Sequence, residues 1–358
     1  MFDYAVHAEA IVKASLESEL INFGKRTDII GKLMRMKQLI DLDQIRQVVK
    51  DVIHERAHVS LFGSFVSGFS DETSDIDATV CLSFPLLNFA VTGSNQVMFT
   101  PLQLCSLAVK RIADYVTLHS YLNISVVHLI PSAKVPVVTL RGPSGSIFDL
   151  SVNNELPLFN TALLKCYARA DERVRILVLC VKRWAKLADV TGAKAGNLSS
   201  YSWTLLCIYY LQVCYQPMLN SLQAAASAPQ RVFTCPLSGR KFSVGFSTVH
   251  AQIIHSHSMG DLLRGFFVFY DSCFEWGREV VSIRYGARLP LSAYPDLRGK
   301  PGYMHIEDPI DVEKNLNCVL DSVGEQRLRQ AISNISKQLV HAPAMVLLQH
   351  ARLVMGHL

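Results

Sequence analysis

Leu61–Leu82 reads LFGSFVSGFSDETSDIDATVCL. From Asp75 onward Ile76, Ala78, Val80 and Leu82 are apolar, and Asp75, Asp77, Thr79 and Cys81 alternate with them. A period of two predicts a strand, so Asp75 and Asp77 project from one face. Paired carboxylates there offer oxygen ligands to a hard divalent cation, and Mg²⁺ keeps its remaining positions for water and phosphate. Upstream, His58–Phe62 reads as a short strand running into Gly63. Glycine lets a backbone approach a phosphate closely, and Ser64 adds a hydroxyl donor. Either part alone is more often a turn or a solvated edge. The two in this order, with the ten residues Phe65–Ser74 between them, point to chemistry on a phosphate.

Working outward, Asp3 to Val52 carries apolar positions at three- and four-residue spacing, which predicts helices with a break around Asn22–Gly24. Ser83–Thr100, with Pro85, Asn88, Gly93 and Asn95, reads as a loop, and Pro101 opens a helix to about His119. Ile124–Ile130, Val135–Leu140 and Ile147–Val152 read as strands, the last with Asp149 on the face opposite Phe148, Leu150 and Val152. Beyond Asn160 the pattern turns helical, with a buried stripe of Leu177, Cys180, Val181, Trp184 and Ala188. Lys182 and Lys186 stand one turn apart there. Asn197–Tyr201, NLSSY, reads as a cap before an apolar helix, and Gln216–Ser247 as an insertion. Leu262–Trp276 is an aromatic-rich helix with Gly265 as a local concession, and Gly324 to about Leu348 closes the chain as helix.

The 358 residues suffice for two domains. Half are hydrophobic and 18% charged, enough for a large core, and the net charge of +5 suits a polyanionic substrate without selecting one. The nine cysteines include no CxxC pair and read as reduced, mostly buried thiols. His54 with His58, and His250 with His255 and His257, lack Cys or carboxylate partners at ligand spacing and read as ordinary side chains. The longest apolar run, Trp203–Leu211, is shorter than the roughly 20 residues of a membrane span, so no membrane partner is expected. The opening MFDYAVHAEA lacks an Arg-rich amphipathic pattern and reads as neither a transit nor a secretory peptide.

Gly63-Ser64 followed at this distance by Asp75-x-Asp77 resembles the signature of the DNA polymerase beta nucleotidyltransferase superfamily. Asp149 stands where that superfamily carries a third carboxylate. Lys182-Arg183-Trp184 with Lys186, then Ser200-Tyr201, then Ile306-Glu307-Asp308-Pro309 follow in the order found in terminal uridylyltransferases. The whole resembles the small kinetoplastid mitochondrial, editosome-associated members. Thr161 departs from the serine of many relatives, and Asp311 from a common glutamate. The resemblance implies an α+β, bilobal fold. A polymerase-beta-like nucleotidyltransferase domain, a mixed sheet with helices, would occupy residues 53–152. A mostly helical domain would take 1–52 and 153–358, with 1–52 and 324–358 as a bridging element and the nucleotide in the cleft between the domains.

It further implies an RNA uridylyltransferase that adds UMP from UTP to the 3′-hydroxyl of single-stranded RNA and releases pyrophosphate. Asp75, Asp77 and Asp149 would be catalytic and would hold Mg²⁺, or Mn²⁺ in its place. Gly63, Ser64, Lys182 and Lys186 would cradle the phosphates, and Asn160 the ribose 2′-hydroxyl. Tyr201, behind Ser200, would stack on the base, while Asp308 and Asp311 read the uracil edge and Thr161 stands as a further base contact. An RNA-editing complex and a mitochondrial location follow from the same resemblance, the cytoplasm being the alternative. A noncanonical poly(A) polymerase would share this core, and a catalytically silent RNA-binding scaffold would share the fold. A small-molecule nucleotidyltransferase is disfavoured by the large helical region.

Overall fold

The alternating run around Asp77 forms an inner strand of a five-stranded sheet in the computed structural model of the chain. The structure describes residues 2–93, 99–249, 257–297, 299 and 302–341, and of 2–16, 26–34, 194 and 340–341 the backbone alone. His250 and His255 of the histidine group, Asn95 of the segment after Leu82, and the chain beyond His341 lie outside the described residues. Two units divide the chain: residues 28–165 with 231–244, and residues 1–27 with 166–230 and 245–358.

The first unit is built on the sheet. Its elements are the second half of helix α1 (Phe2–Val52), β1 (His58–Phe62), the single turn α2 (Gly63–Ser67), β2 (Ile76–Cys81), α3 (Phe84–Thr92), α4 (Pro101–Leu118), β3 (Ser125–Ile130), β4 (Val137–Arg141), β5 (Ile147–Val152) and most of α5 (Leu156–Ala170). The strand order is β1-β2-β5-β4-β3, with β2 and β5 parallel and the other neighbours antiparallel. Ile76, Ala78 and Val80 of β2, with Phe148, Leu150 and Val152 of β5, enter one core. Leu42, Ile45, Val49 and Val52 of α1 and Leu104, Ala108 and Ile112 of α4 bury against the same core at helical spacing. α4 begins with a reciprocal capping box between Thr100 and Gln103 and has Pro101 in its first turn.

Three expectations change here. Ser83–Thr100 is not all loop, because Pro85 sits in the first turn of α3, where its missing N–H costs nothing, and Gly93 ends that helix in the left-handed conformation at φ +71°. The hairpin β6 (Val232–Thr234) and β7 (Lys241–Ser243) arises within the Gln216–Ser247 insertion and belongs to this unit. The unit also extends beyond residues 53–152 at both ends, since α1 and α5 both pack on its side.

The second unit is helical. It comprises the first half of α1, α6 (Glu172–Leu187), α7 (Ser200–Val213), α8 (Met259–Val268) continued by a π-helical turn Phe269–Cys273, the two-residue parallel strands β8 (Val280–Val281) and β9 (His305–Ile306), and α9 (Ser322–His341). The expected break near Asn22–Gly24 is absent. A Cβ on Gly24 would stand 2.7 Å from Cγ1 of Ile176, so this glycine marks close packing of α1 on α6. Gly265 has the same cause, because a Cβ there would meet the Tyr210 hydroxyl at 2.1 Å. α6 is buried nearly all round, from Val174 to Ala185, whereas Ala188 of the expected stripe is its C-cap. Among the described residues no helix is long and apolar enough to cross a membrane.

Candidate active site

The register of the sheet sets one row of side chains across four strands: Phe62 opposite Asp77, Asp77 opposite Asp149, and Asp149 opposite Thr139. Side chains at paired positions share a face, and neighbouring strands lie about 4.8 Å apart. Asp77 and Asp149 are therefore adjacent although far apart in sequence. Asp75 immediately precedes β2, close enough for its charge to act on Asp77. Burial first, and then the charges of Asp149 and Asp75, push the Asp77 carboxyl up from 3.8 to about 7.

Gly63 caps this row. Its φ of +72° is one that residues with a side chain rarely adopt, and a Cβ built on it would lie 2.0 Å from Oδ2 of Asp77. Glycine is thus required here twice, by conformation and by space. The Gly63 N–H donates to the Thr161 hydroxyl at 2.8 Å, and that hydroxyl donates in turn to the Pro157 carbonyl at 2.7 Å. Thr161, expected as a base contact, holds the glycine turn by accepting and donating through its hydroxyl. Ser64 begins the turn that closes through the Gly68 and Phe69 N–H groups onto its carbonyl. Asn160 is half-buried on α5 beside Thr161.

Two side chains of this site carry no motif. Thr139 donates its hydroxyl to Oδ1 of Asp149 at 2.6 Å, which fixes one oxygen of the third carboxylate. Asp71 accepts the Thr73 N–H and the Thr73 and Ser74 hydroxyls on Oδ1, closing the turn that delivers Asp75. Asp71 was legible as a turn former in DETS. Thr139 becomes visible only once the β4–β5 register is known.

An all-oxygen donor set and mutual repulsion of like charges fit a hard divalent cation, which Asp75, Asp77 and Asp149 would hold. Among the described residues no three His, Cys, Asp or Glu side chains form a ready-made cage.

The remaining expected site residues belong to the helical unit. Lys182 and Lys186 differ in surroundings, Lys182 being buried and Lys186 exposed at the end of α6. Ser199 caps α7 by accepting the Ser202 N–H, which leaves Ser200 exposed in the first turn and Tyr201 half-buried behind it. Tyr201 has its hydroxyl pushed well above the usual value, by burial first and then by the neighbouring Asp308. Asp308 is itself buried, and its Oδ1 accepts the N–H groups of Ile310 and Asp311 at 2.9 and 3.0 Å. The carboxylate therefore also builds a turn. Asp311 is half-buried at the end of that turn. The preceding Glu307 is buried and paired with Arg284 and the Ser282 hydroxyl, which anchors β9 just before Asp308.

Two family models match the chain: "Poly(A) RNA polymerase, mitochondrial-like, central palm domain" over residues 31–169, and "Cid1 family poly A polymerase" over residues 258–314. The Poly(A) RNA polymerase GLD2 of Mus musculus is 28% identical over 293 residues, covering 78% of this chain and 54% of that protein. GLD2-A of Xenopus laevis is 30% identical over 284 residues, covering 75% of this chain and 50% of that protein. The chain thus spans about half the length of the curated relatives it matches. A crystal structure of the Cid1 poly(U) polymerase with MgGTP bound superposes with a TM-score of 0.76 at 24% identity, covering 94% of this chain and 98% of that one. Another Cid1 poly(U) polymerase crystal structure gives a TM-score of 0.71 at 25% identity, covering 89% and 93%. The fold is the polymerase-beta-like nucleotidyltransferase fold, a mixed sheet with helices. Family models, curated relatives and solved structures together support a nucleotidyltransferase of the poly(A)/poly(U) polymerase family.

Proposed function

We propose that this chain transfers a nucleoside monophosphate from a nucleoside triphosphate to the 3′-hydroxyl of single-stranded RNA, with UTP as the donor. The observation that carries the reading is the pairing of Asp77 with Asp149 on parallel strands directly beneath the glycine turn at Gly63. When bound there, a divalent cation supplies Lewis-acid stabilisation to the phosphoryl oxygens. Gly63 brings backbone close to the polyphosphate, and Thr161 keeps that turn in place. Asp149, with Oδ1 held by Thr139, presents its other oxygen to the proton of the attacking hydroxyl. In the helical unit, the resemblance assigns Lys186 as a point charge for the terminal phosphates and Tyr201 as a ring for the base.

The choice of UTP rests on the resemblance of Ser200-Tyr201 and Ile306–Pro309 to uridylyltransferases, and the Cid1 neighbour is named a poly(U) polymerase. The curated relatives, named poly(A) RNA polymerases, favour ATP as the second reading. Incubating the protein and Mg²⁺ with a short single-stranded RNA and each of the four triphosphates separately tests both. Extension with UTP alone supports the proposal, and extension with ATP alone replaces it by the second reading. Extension with neither removes the enzyme. The same resemblance carries the setting, an RNA-editing complex in the mitochondrion, which fractionation and co-purification test.

Thr161 supplies a smaller test of the glycine turn. Losing a hydrogen bond of this kind costs about 0.5–1.5 kcal/mol, so Thr161→Val should raise KM for the triphosphate roughly 2- to 12-fold. Thr161→Ser, which keeps the hydroxyl, should stay near wild type. A Val variant with unaltered KM would show that the turn needs no such support.

A further inference from the structure

The β6–β7 hairpin takes no part in the chemistry above. Residues 231–244 contain Arg231, Arg240 and Lys241 and no acidic residue, and no Asp or Glu occurs anywhere between Asp189 and Asp261. The three basic side chains are exposed. The hairpin is docked by Phe233, whose ring lies 4.7 Å from that of Phe159 on α5. The Arg231 guanidinium stands 5.8 Å above the same Phe159 ring, and that of Arg240 stands 4.9 Å above the buried Phe242. A tight turn closes the hairpin, with the Cys235 N–H bonded to the Arg240 carbonyl and Gly239 at φ +69°. The rings are thus covered by the protein's own arginines, which they hold in place. What the hairpin offers outward is two guanidinium groups positioned by these rings and the exposed ammonium of Lys241.

Its position is equally specific. Phe159 immediately precedes Asn160 and Thr161 on α5, and Thr161 bonds the Gly63 turn. At about 100° per residue, Phe159 and Thr161 face nearly opposite ways with Asn160 between them. One helix therefore carries the glycine turn on one side and the basic hairpin on the other.

We propose that this hairpin is a binding surface for the phosphate backbone of single-stranded RNA. Arginine forks and a lysine bind phosphate without reading sequence, and aromatic faces already occupied leave no platform for stacking bases. The proposal rests on the reading of the chain as an RNA nucleotidyltransferase for the identity of the strand, and its test does not need catalysis. Binding of a short labelled oligo(U) is measured without nucleotide over a KCl series. The wild type is compared with the triple variant Arg231→Ala, Arg240→Ala, Lys241→Ala, and with the charge-preserving Arg231→Lys, Arg240→Lys, Lys241→Arg.

Each single-strand phosphate contact contributes about 0.7 to the slope of log affinity against log salt, so the Ala variant should lose a slope of about 2. Its affinity should fall most at low salt, and the charge-preserving variant should keep the wild-type slope. Addition of nucleotide to a dinucleotide primer, which carries a single internucleotide phosphate, should change less in the Ala variant than addition to a long primer. An Ala variant with the wild-type slope overturns the proposal. So does loss of binding to anionic lipid vesicles with RNA binding intact. A chain that shows the expected slopes but adds no nucleotide would sink the catalytic reading and leave the hairpin standing.

Discussion

Asp77→Asn should abolish nucleotide addition and, in the same protein, raise the melting temperature measured in EDTA at pH 8. The first effect follows from removing a charged oxygen that the proposed cation site needs between Asp75 and Asp149. Metal-borne charge stabilisation is worth several kcal/mol, which corresponds to a loss on the order of a thousandfold or more. The second follows from the environment that makes the site useful. Burial and two neighbouring carboxylates raise the Asp77 carboxyl from 3.8 to about 7. A carboxyl raised on folding binds its proton more tightly in the folded chain. Its contribution to stability is intact below about pH 4 and is lost as pH rises through about 7. At 1.36 kcal/mol per unit, the penalty at pH 8 is on the order of a few kcal/mol. Asn has the same shape without the charge, so the gap in melting temperature over wild type should widen from pH 5 to pH 8. Adding Mg²⁺ should stabilise the wild type and not the variant. Measurable turnover near the wild-type rate, or a gap that stays constant with pH, would remove Asp77 from the centre of the site.

The trade between stability and activity at this position explains why so much of the sheet unit is devoted to holding charge in place. Thr139 fixes an oxygen of Asp149, Thr161 fixes Gly63, and Asp71 shapes the turn before Asp75. Asp41, buried on α1, does the same for the β4–β5 turn by accepting the Ser144 N–H and hydroxyl. Asp149 lies on the strand which that turn feeds. Each contact fixes an oxygen or a backbone segment around charges that repel one another.

How much of this could be read from the chain depends on distance along it. The strand period around Asp77 and the Gly63 turn are local, and both emerged from Leu61–Leu82 alone. The adjacency of Asp77 and Asp149 is not local, and it was reached through resemblance because nothing in the sequence states that β2 and β5 are parallel neighbours. Thr139 was beyond reach for the same reason, and Thr161 was reached only through resemblance: a threonine in a strand or an early helix turn is ordinary until its partner is known. The glycines misled in the opposite direction. Gly24 and Gly265 look like weak points in helices, yet Ile176 and the Tyr210 hydroxyl occupy the space their side chains would need. Pro85 read as loop because proline inside a helix is costly, but in the first turn it is not. The hairpin within Gln216–Ser247 has strands of three residues, too short for any periodicity to register.

Base choice calls for a variant that spares the turn built by Asp308. Uracil presents an N3–H donor where cytosine presents a lone pair, so a carboxylate at that edge favours uracil. Asp308 and Asp311 are the candidates, and replacing Asp308 by Ala would confuse two effects. Its Oδ1 accepts two backbone N–H groups in a buried turn, and losing them leaves donors unsatisfied at about 1–3 kcal/mol each. Asp308→Asn keeps that acceptor and removes only the charge, so it is the informative variant, alongside Asp311→Asn. A hydrogen bond to a charged group is worth about 1.5–3 kcal/mol, so the variant that removes the reader should cut the UTP-to-CTP ratio of kcat/KM roughly 10- to 150-fold. Tyr201→Ala should instead weaken every nucleotide together, since a ring stacks on any base. Tyr201→Phe separates the two functions of that residue, because it keeps the ring and deletes only the hydroxyl beside Asp308. ATP belongs in the same series, since adenine offers its N6 donors to a carboxylate but turns the N1 lone pair toward it. If both Asn variants hold the wild-type UTP-to-CTP ratio, neither carboxylate reads the base, and selection lies with residues other than Asp308 and Asp311.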